Sequence, residues 1–205
     1  MLLLVDSDSL PEPEDPDEFH DHQLVGLRVL DTAGAGLGEV TEVVHTPGGE
    51  LLAIRLAGGQ ATFVRADVSR GDDVKALLQA TLATYGRLDI QINNAGVSHR
   101  NQSMLTVPED EFDRVYAVNV KSLYWTAQHM APHFRDNGGG VFINIASTGG
   151  VRPRPGLVWY NGTKGAVIVT SRAMAVELAP HRIRVNVINP VAGDTPLLAT
   201  FMGED

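Results

Sequence analysis

The chain has no cysteine among its 205 residues. That excludes a disulfide framework and any thiolate metal site, and it fits a reducing compartment such as the cytoplasm. Basic residues are scarce: 16 Lys and Arg stand against 25 Asp and Glu, giving a net charge of −9. Such a balance leaves no general basic field to hold a nucleic acid. Long hydrophobic runs are missing as well. The apolar start, M-L-L-L-V, is too short for a membrane span or a signal segment and has no basic flank, so a soluble protein without a membrane partner is expected. What is plentiful is ordinary core material, with 43% hydrophobic residues.

Taken in order, residues 1–23 form an acidic arm whose prolines 11, 13 and 16 forbid regular helix. His20 and His22 flank Asp21 without further ligands at suitable spacing and read as a solvated turn. The next stretch, V-L-D-T-A-G-A-G-L-G at 29–38, admits two readings. Gly34, Gly36 and Gly38 could close a nucleotide-binding loop ahead of a helix. Only residues 39–46 then precede Pro47-Gly48-Gly49, however, and Val40, Val43 and Val44 are β-branched. About two helical turns cannot make the crossover to a parallel strand. Antiparallel strands at 27–30, 37–45 and 51–56, joined by turns, suit the segment better.

Beyond a Gly-Gly-Gln at 58–60, strands alternate with helices. A strand is expected at 61–66, then a helix opened by Ser69 and Asp72 with Val74, Leu77, Leu78, Leu82 and Tyr85 on one side. A strand at 88–92 delivers Asn93-Asn-Ala-Gly96 at its carboxyl end, the place where open α/β sheets bind ligands. Thr106 and Pro108 open the helix that carries Asn119, either a satisfied interior polar group or a site residue. His129 and His133 share one face of that helix, but Pro132 and the lack of an intervening glutamate speak against a metal clamp. The run V-F-I-N-I at 141–145 has strand length and leads to Ser147. From Leu157 the apolar spacing is helical to Leu178, which sets Tyr160 and Lys164 four apart on one face. A last strand at 185–188 runs into Asn189-Pro190.

A hydroxyl at a strand end facing a Tyr–Lys pair suits proton transfer to a carbonyl. A free phenol has a pKa of about 10, roughly 4 kcal/mol from useful acidity near neutrality. An adjacent ammonium is expected to favour the phenolate and lower that value.

Together N-N-A-G at 93–96, Asn119 in Y-A-V-N-V, Ser147 in I-N-I-A-S, Y-N-G-T-K at 160–164 and R-V-N-V-I-N-P at 184–190 resemble the short-chain dehydrogenase/reductase family in order and spacing, from about residue 58 to the end. The resemblance implies an α/β fold: an incomplete Rossmann-like parallel sheet with flanking helices over 58–205, lacking the first βαβ unit and the C-terminal elements. It implies reversible hydride transfer between NAD or NADP and a secondary alcohol or ketone. Tyr160 would be the general acid/base, Lys164 its partner and ribose ligand, Ser147 the group that orients substrate, and Asn119 the anchor of a relay water. Cofactor contacts would come from Asp67, Val68, Asn93, Ala95, Gly96, Tyr160, Lys164, Pro190, Val191 and Thr195, with Val191 standing where the family usually has glycine. A homo-oligomer would form through the helices at 109–133 and 157–178.

Roughly residues 1–57, which include the small antiparallel β segment at 24–57, are similar to the C-terminal PRC-barrel part of the RimM ribosome maturation factors, on D-P-D-E-F-H-D-H-Q-L-V-G-L-R-V-L-D and L-G-E-V-T-E-V-V-H-T-P-G-G-E-L-L-A-I-R. That likeness implies a chimeric chain and, as the alternative to an enzyme, a non-catalytic protein with a ribosomal partner, or a fusion product without selected function. It also bears on the cofactor. The strand ending near residue 56 reaches residue 61 through four residues, enough for a hairpin but not for a parallel neighbour. Nicotinamide cofactor is therefore expected to bind weakly.

Overall fold

A computed structural model of the protein describes residues 25–30, 36–46, 49–56, 62–191 and 196–202. The acidic arm at 1–23, Gly34, the turn at 58–60 and Thr195 lie outside the described residues. The chain divides into two compact units, residues 1–63 and 64–205.

The first unit is an antiparallel meander. Strands β1 (Arg28–Leu30), β2 (Gly36–Thr46) and β3 (Gly49–Leu56) lie in the order β1-β2-β3. The β-branched residues of β2 pair across to apolar ones, Val40 with Ile54 and Val44 with Leu51, with a bulge between Val40 and Glu42. Gly36 and Gly38 sit inside β2, opposite Leu30 and Val29. Their backbone is committed to the ladder. Of the two readings open for this stretch, the antiparallel one forms.

The second unit is α/β. It runs α1 (Gly71–Tyr85), β4 (Ile90–Asn93), α2 (Glu109–Tyr116), a π turn at Ala117–Lys121, α3 (Ser122–Asp136), β5 (Gly140–Ile145), a 3₁₀ turn at Thr148–Gly150, α4 (Val158–Leu178), β6 (Ile183–Ile188) and α5 (Pro196–Met202). The three strands are parallel in the order β4-β5-β6, with Ile92, Ile143 and Asn186 abreast. This is the incomplete Rossmann-like sheet. Period-two alternation sends Phe142 and Asn144 to one face, where both are wholly buried. There Phe142 meets Phe134 of α3 edge-on at 5.1 Å between ring centroids, and Val74, Met130 and Ile183 complete the cluster. Ala146, Val167, Ile168 and Leu123 form a second cluster nearer the carboxyl end of the strands. The opposite face carries Ile90, Ile92 and Ile188, each more than half exposed. A doubly wound sheet normally covers both faces.

Two local expectations fail. No strand forms at residues 62–67, which lie outside both described sheets. A strand exists only by pairing, so local composition alone does not secure one. The Ser69–Asp72 helix start is also replaced. Arg70 is the N-cap and contributes no side-chain bond, while the Ser69 hydroxyl donates to Asp67 at 2.7 Å. Asp67 competes successfully because it also accepts the Ser69 backbone N–H at 2.9 Å, an Asx turn.

No helix among the described residues is long and apolar enough to cross a membrane. Phe142→Ala is expected to cost about 3–5 kcal/mol, since it removes a fully buried ring from the contact between sheet and helix. Urea unfolding followed by fluorescence of Trp125, which packs on the same cluster, would show a lower midpoint. An unchanged midpoint would contradict this packing.

Candidate active site

The site lies beyond the carboxyl end of β5. Ala146 extends the ladder by donating its N–H to the Ile188 carbonyl at 2.8 Å, and the Thr148 N–H reaches Pro190 at 3.0 Å. Between them Ser147 is extended and buried, and its hydroxyl caps the 3₁₀ turn by accepting the Gly149 N–H at 3.0 Å. The Ser147 hydroxyl also lies close enough to the phenol of Tyr160, on the first turn of α4, to favour its ionised form. One helical turn on, the Lys164 ammonium crosses back to donate to the Ile145 carbonyl at 2.9 Å. Helix and strand end are thus tied through the residues singled out for chemistry. Lys164 Nζ stands 5.8 Å from the centre of the Tyr160 ring.

Electrostatics differ from the expectation in sign. Burial pushes the Tyr160 phenol above its ordinary value, and its interaction with the Ser147 hydroxyl only partly offsets this. Burial also pulls the Lys164 ammonium down to about 8. Lys164 spends its hydrogen bond on Ile145 and sits over the ring. In this state desolvation outweighs its attraction for a phenolate.

Asn119 lies in the π turn, a widened turn that often marks functional positions. Its Oδ1 accepts the Val97 N–H at 2.8 Å, and its Nδ2 donates to the Val97 carbonyl at 2.8 Å and the Thr163 hydroxyl at 3.0 Å. The side chain is therefore a satisfied interior group that fixes the loop after β4 against α4. Any water would have to be held by its backbone. Asn93 is similarly engaged: its amide donates to Asn144 at 2.7 Å, Asn144 donates to Ser171 at 2.7 Å, and Ser171 donates to Val167 O at 2.6 Å. This buried ladder stitches β4 to β5 and β5 to α4, and it leaves only the Asn93 backbone for a ligand. Asp67 is exposed, and the Ser69 hydrogen bonds hold its carboxyl below the usual range. Val191 is exposed.

For a nicotinamide group the two ends of the site differ. At Gly96, in the loop after β4, an added Cβ would lie 3.2 Å from Lys164 Nζ and 3.5 Å from Asn119 Oδ1. A side chain there would crowd the Lys164 ammonium, so glycine keeps open the approach that a ribose hydroxyl would need. At the phosphate end, the sheet order among the described residues ends at β4, and Gly36 and Gly38 are in the meander. Among the described residues no helix N-terminus follows a strand on that side.

His99 is a site residue that sequence reasoning missed. It is wholly buried, with Nδ1 2.8 Å from the Arg100 carbonyl and Nε2 accepting the Tyr160 backbone N–H at 3.4 Å. That pattern requires the tautomer protonated on Nδ1. The Leu157 N-cap of α4 offers no side-chain bond, so His99 serves an otherwise orphaned donor of the helix that carries Tyr160. No motif signals a partner 61 positions away. Among the described residues no group of three or more His, Asp or Glu is placed to hold a metal ion.

A sequence model described as short chain dehydrogenase matches residues 39–204. A 4-formylbenzenesulfonate dehydrogenase of Comamonas testosteroni is 51% identical over 145 residues, 71% of this chain and 58% of that protein. A 2-(R)-hydroxypropyl-CoM dehydrogenase of Xanthobacter autotrophicus is 37% identical, over 65% of this chain and 54% of that protein. A 3-ketoacyl-(acyl-carrier-protein) reductase from Brucella melitensis, solved in complex with NADH, superposes with a TM-score of 0.67 at 50% identity, covering 68% of this chain and 59% of the other. A xylitol dehydrogenase solved with NAD+ gives 0.63 at 30% identity, covering 65% and 52%. The chain thus spans somewhat over half the length of the proteins it matches.

The burial of Lys164 gives a prediction for stability. Its folded pKa, about 8, is depressed from an unfolded value of about 10.4. Between these values the unfolded chain binds more protons, so stability rises with pH. Below about 8 both states are protonated, and the full cost of burying the ammonium stands. Relative to Lys164→Met, the wild type should gain about 2 kcal/mol between pH 7 and pH 9.5. Urea unfolding of both proteins at the two pH values measures this. A difference independent of pH would show that the ammonium is not desolvated.

Proposed function

The chain belongs to the short-chain dehydrogenase family, and on that premise we propose that it carries the site of an NAD(P)-dependent oxidoreductase acting on a secondary alcohol or ketone. The observation that carries the proposal is the meeting of buried Ser147 and Tyr160 at the carboxyl end of β5, with Lys164 one helical turn away and its ammonium 5.8 Å from the Tyr160 ring. In ketone reduction the Ser147 hydroxyl and the Tyr160 phenol both donate to the substrate oxygen. Tyr160 transfers its proton as that oxygen becomes an alkoxide, and in alcohol oxidation it takes the proton back. Lys164 stabilises the resulting phenolate by its charge, with N–H donors beyond the one held by Ile145 free to reach a ribose hydroxyl. Asn119 holds the loop of Val97 and, through its backbone, a water that relays the proton to solvent. A bound nicotinamide supplies or accepts the hydride. Its ribose end would be held by Tyr160, Lys164 and the backbone of Asn93, Ala95 and Gly96, with Pro190, Val191 and Thr195 near the carboxamide and Asp67 and Val68 near the adenine.

The same reading makes cofactor binding weak. Each charge-assisted hydrogen bond missing from a phosphate site forfeits roughly 1.5–3 kcal/mol, so two or three cost several orders of magnitude in affinity. Val169 and Val176 on α4 and Tyr124 on α3 are exposed and suit the oligomer contact expected at 109–133 and 157–178. A second reading rests on the meander, which forms a unit apart from residues 64–205. Under it, residues 24–57 are a PRC-barrel-like segment of a chimeric chain and dock to a ribosomal partner.

Titration with NADH and NADPH, followed by fluorescence, tests both. Saturable binding with dissociation constants above the low micromolar range supports the oxidoreductase with a deficient phosphate site. A low micromolar constant contradicts the deficiency, and co-sedimentation with ribosomes without cofactor binding favours the second reading. Tyr160→Phe should reduce any ketone reduction by at least about a hundredfold while leaving cofactor affinity nearly unchanged, because it removes a proton donor and little binding surface. Unchanged turnover would remove Tyr160 from the mechanism.

A further inference from the structure

Three segments distant in sequence meet above the Tyr160 ring. The first is the loop after β4, at Asn101 and Gln102. The second is the loop that precedes α4, at Gly156. The third is the last turn of α5, at Thr200 and Phe201.

Asn101 binds this junction with both its backbone and its side chain. Its N–H donates to the Thr200 carbonyl at 3.1 Å, and its Nδ2 donates to the Phe201 carbonyl at 2.8 Å. These are among the last four carbonyls of a short helix, which have no partner within it. The Gln102 N–H donates to the Gly156 carbonyl at 3.0 Å. At Gly156 the backbone is left-handed, with φ +82°, and an added Cβ would collide with Asn101 Oδ1. The Asn101 side chain thus fills a space that glycine alone leaves free, with its amide nitrogen turned to α5. The consequence for the site is the position of Phe201. Its ring lies 5.0 Å from that of Tyr160, tilted by 53°, and Tyr160 is only 6% exposed.

We propose that Asn101 is a positioning residue of the Tyr160 site: by fixing the Thr200 and Phe201 carbonyls it seats the Phe201 ring as an apolar wall over the phenol. The inference rests on the oxidoreductase reading for its functional meaning, but its geometry stands without cofactor or substrate. The wall does two things. It keeps water from one side of the phenol, in line with the burial that raises the pKa of Tyr160. It also presents a hydrocarbon face beside the reacting oxygen, so a substituent next to the substrate carbonyl gains by being apolar.

Nitration of tyrosine by tetranitromethane at pH 8, with peptide mapping, tests this in the intact chain. Tyr124, 53% exposed, serves as internal reference. Wild-type Tyr160 should be nitrated far more slowly than Tyr124. Phe201→Ala should raise the Tyr160 rate several-fold, and the isosteric Asn101→Asp, which loses the amide donor, should do the same. The double variant should be no faster than Phe201→Ala alone, because the two residues act through one wall. Asn101→Ala, read in the same way, covers the case in which the new carboxylate perturbs folding. An increase shared by Tyr85 and Tyr116 would mean general loosening and would overturn the proposal. So would a Tyr160 rate unchanged by either Asn101 variant, or rates that multiply in the double variant. Cofactor titration tests the oxidoreductase reading separately, so failure of one is distinguishable from failure of the other.

Discussion

The burial of one ammonium group, Lys164, is the constraint around which the second unit is arranged. Placing a charge out of water is unfavourable, and the Ile145 carbonyl repays only part of the cost. A methionine of similar reach would make a better core residue. The bond nevertheless ties α4 to the end of β5 at the point where Ser147 and Tyr160 meet. Buried charge held near one hydroxyl pair is the arrangement expected where stability is given up for chemistry.

The phenol shows the same tension from the other side. Proximity of Lys164 to Tyr160 suggests a lowered pKa, yet the sign is reversed because desolvation acts on both groups and the ammonium is directed at a carbonyl. Spacing along a helix places two side chains together; it does not choose the partner each selects. One of the three ammonium donors is held by Ile145, and the other two remain for whatever partner enters beside Tyr160.

A single topological fact accounts for several departures from a complete doubly wound domain. Among the described residues the parallel sheet ends at β4. The segment at 62–67 takes no place in it. The face bearing Ile90, Ile92 and Ile188 remains open. Gly36 and Gly38, which might have wrapped a phosphate, lie in the meander, where Gly38 faces Val29 and Leu56. The end that carries Ser147 and Tyr160 is less affected because its supports are internal to this unit: the Asn93–Asn144–Ser171 ladder and the clasp of Asn119 on Val97.

The sequence alone determined most of the elements and the candidate site residues. A β-branched apolar run of strand length located β5, apolar spacing located α4 almost to its ends, and β-branched content between turn residues separated the meander from a nucleotide loop. Four-residue spacing placed Tyr160 and Lys164 on one face, because helix geometry is local. The tertiary structure decided what those residues touch. It turned the Asn93 side chain into a core ladder and Asn119 into a loop clasp, because a buried amide must find partners wherever the fold supplies them. It set His99 on the Tyr160 amide and Phe201 on the Tyr160 ring, contacts across 61 and 41 positions that leave no periodic trace. It left 62–67 without a ladder, because a strand exists only by pairing and its partner is not encoded in its own residues. The signs of the Tyr160 and Lys164 shifts belong to the same class, since desolvation is a property of everything packed around a group.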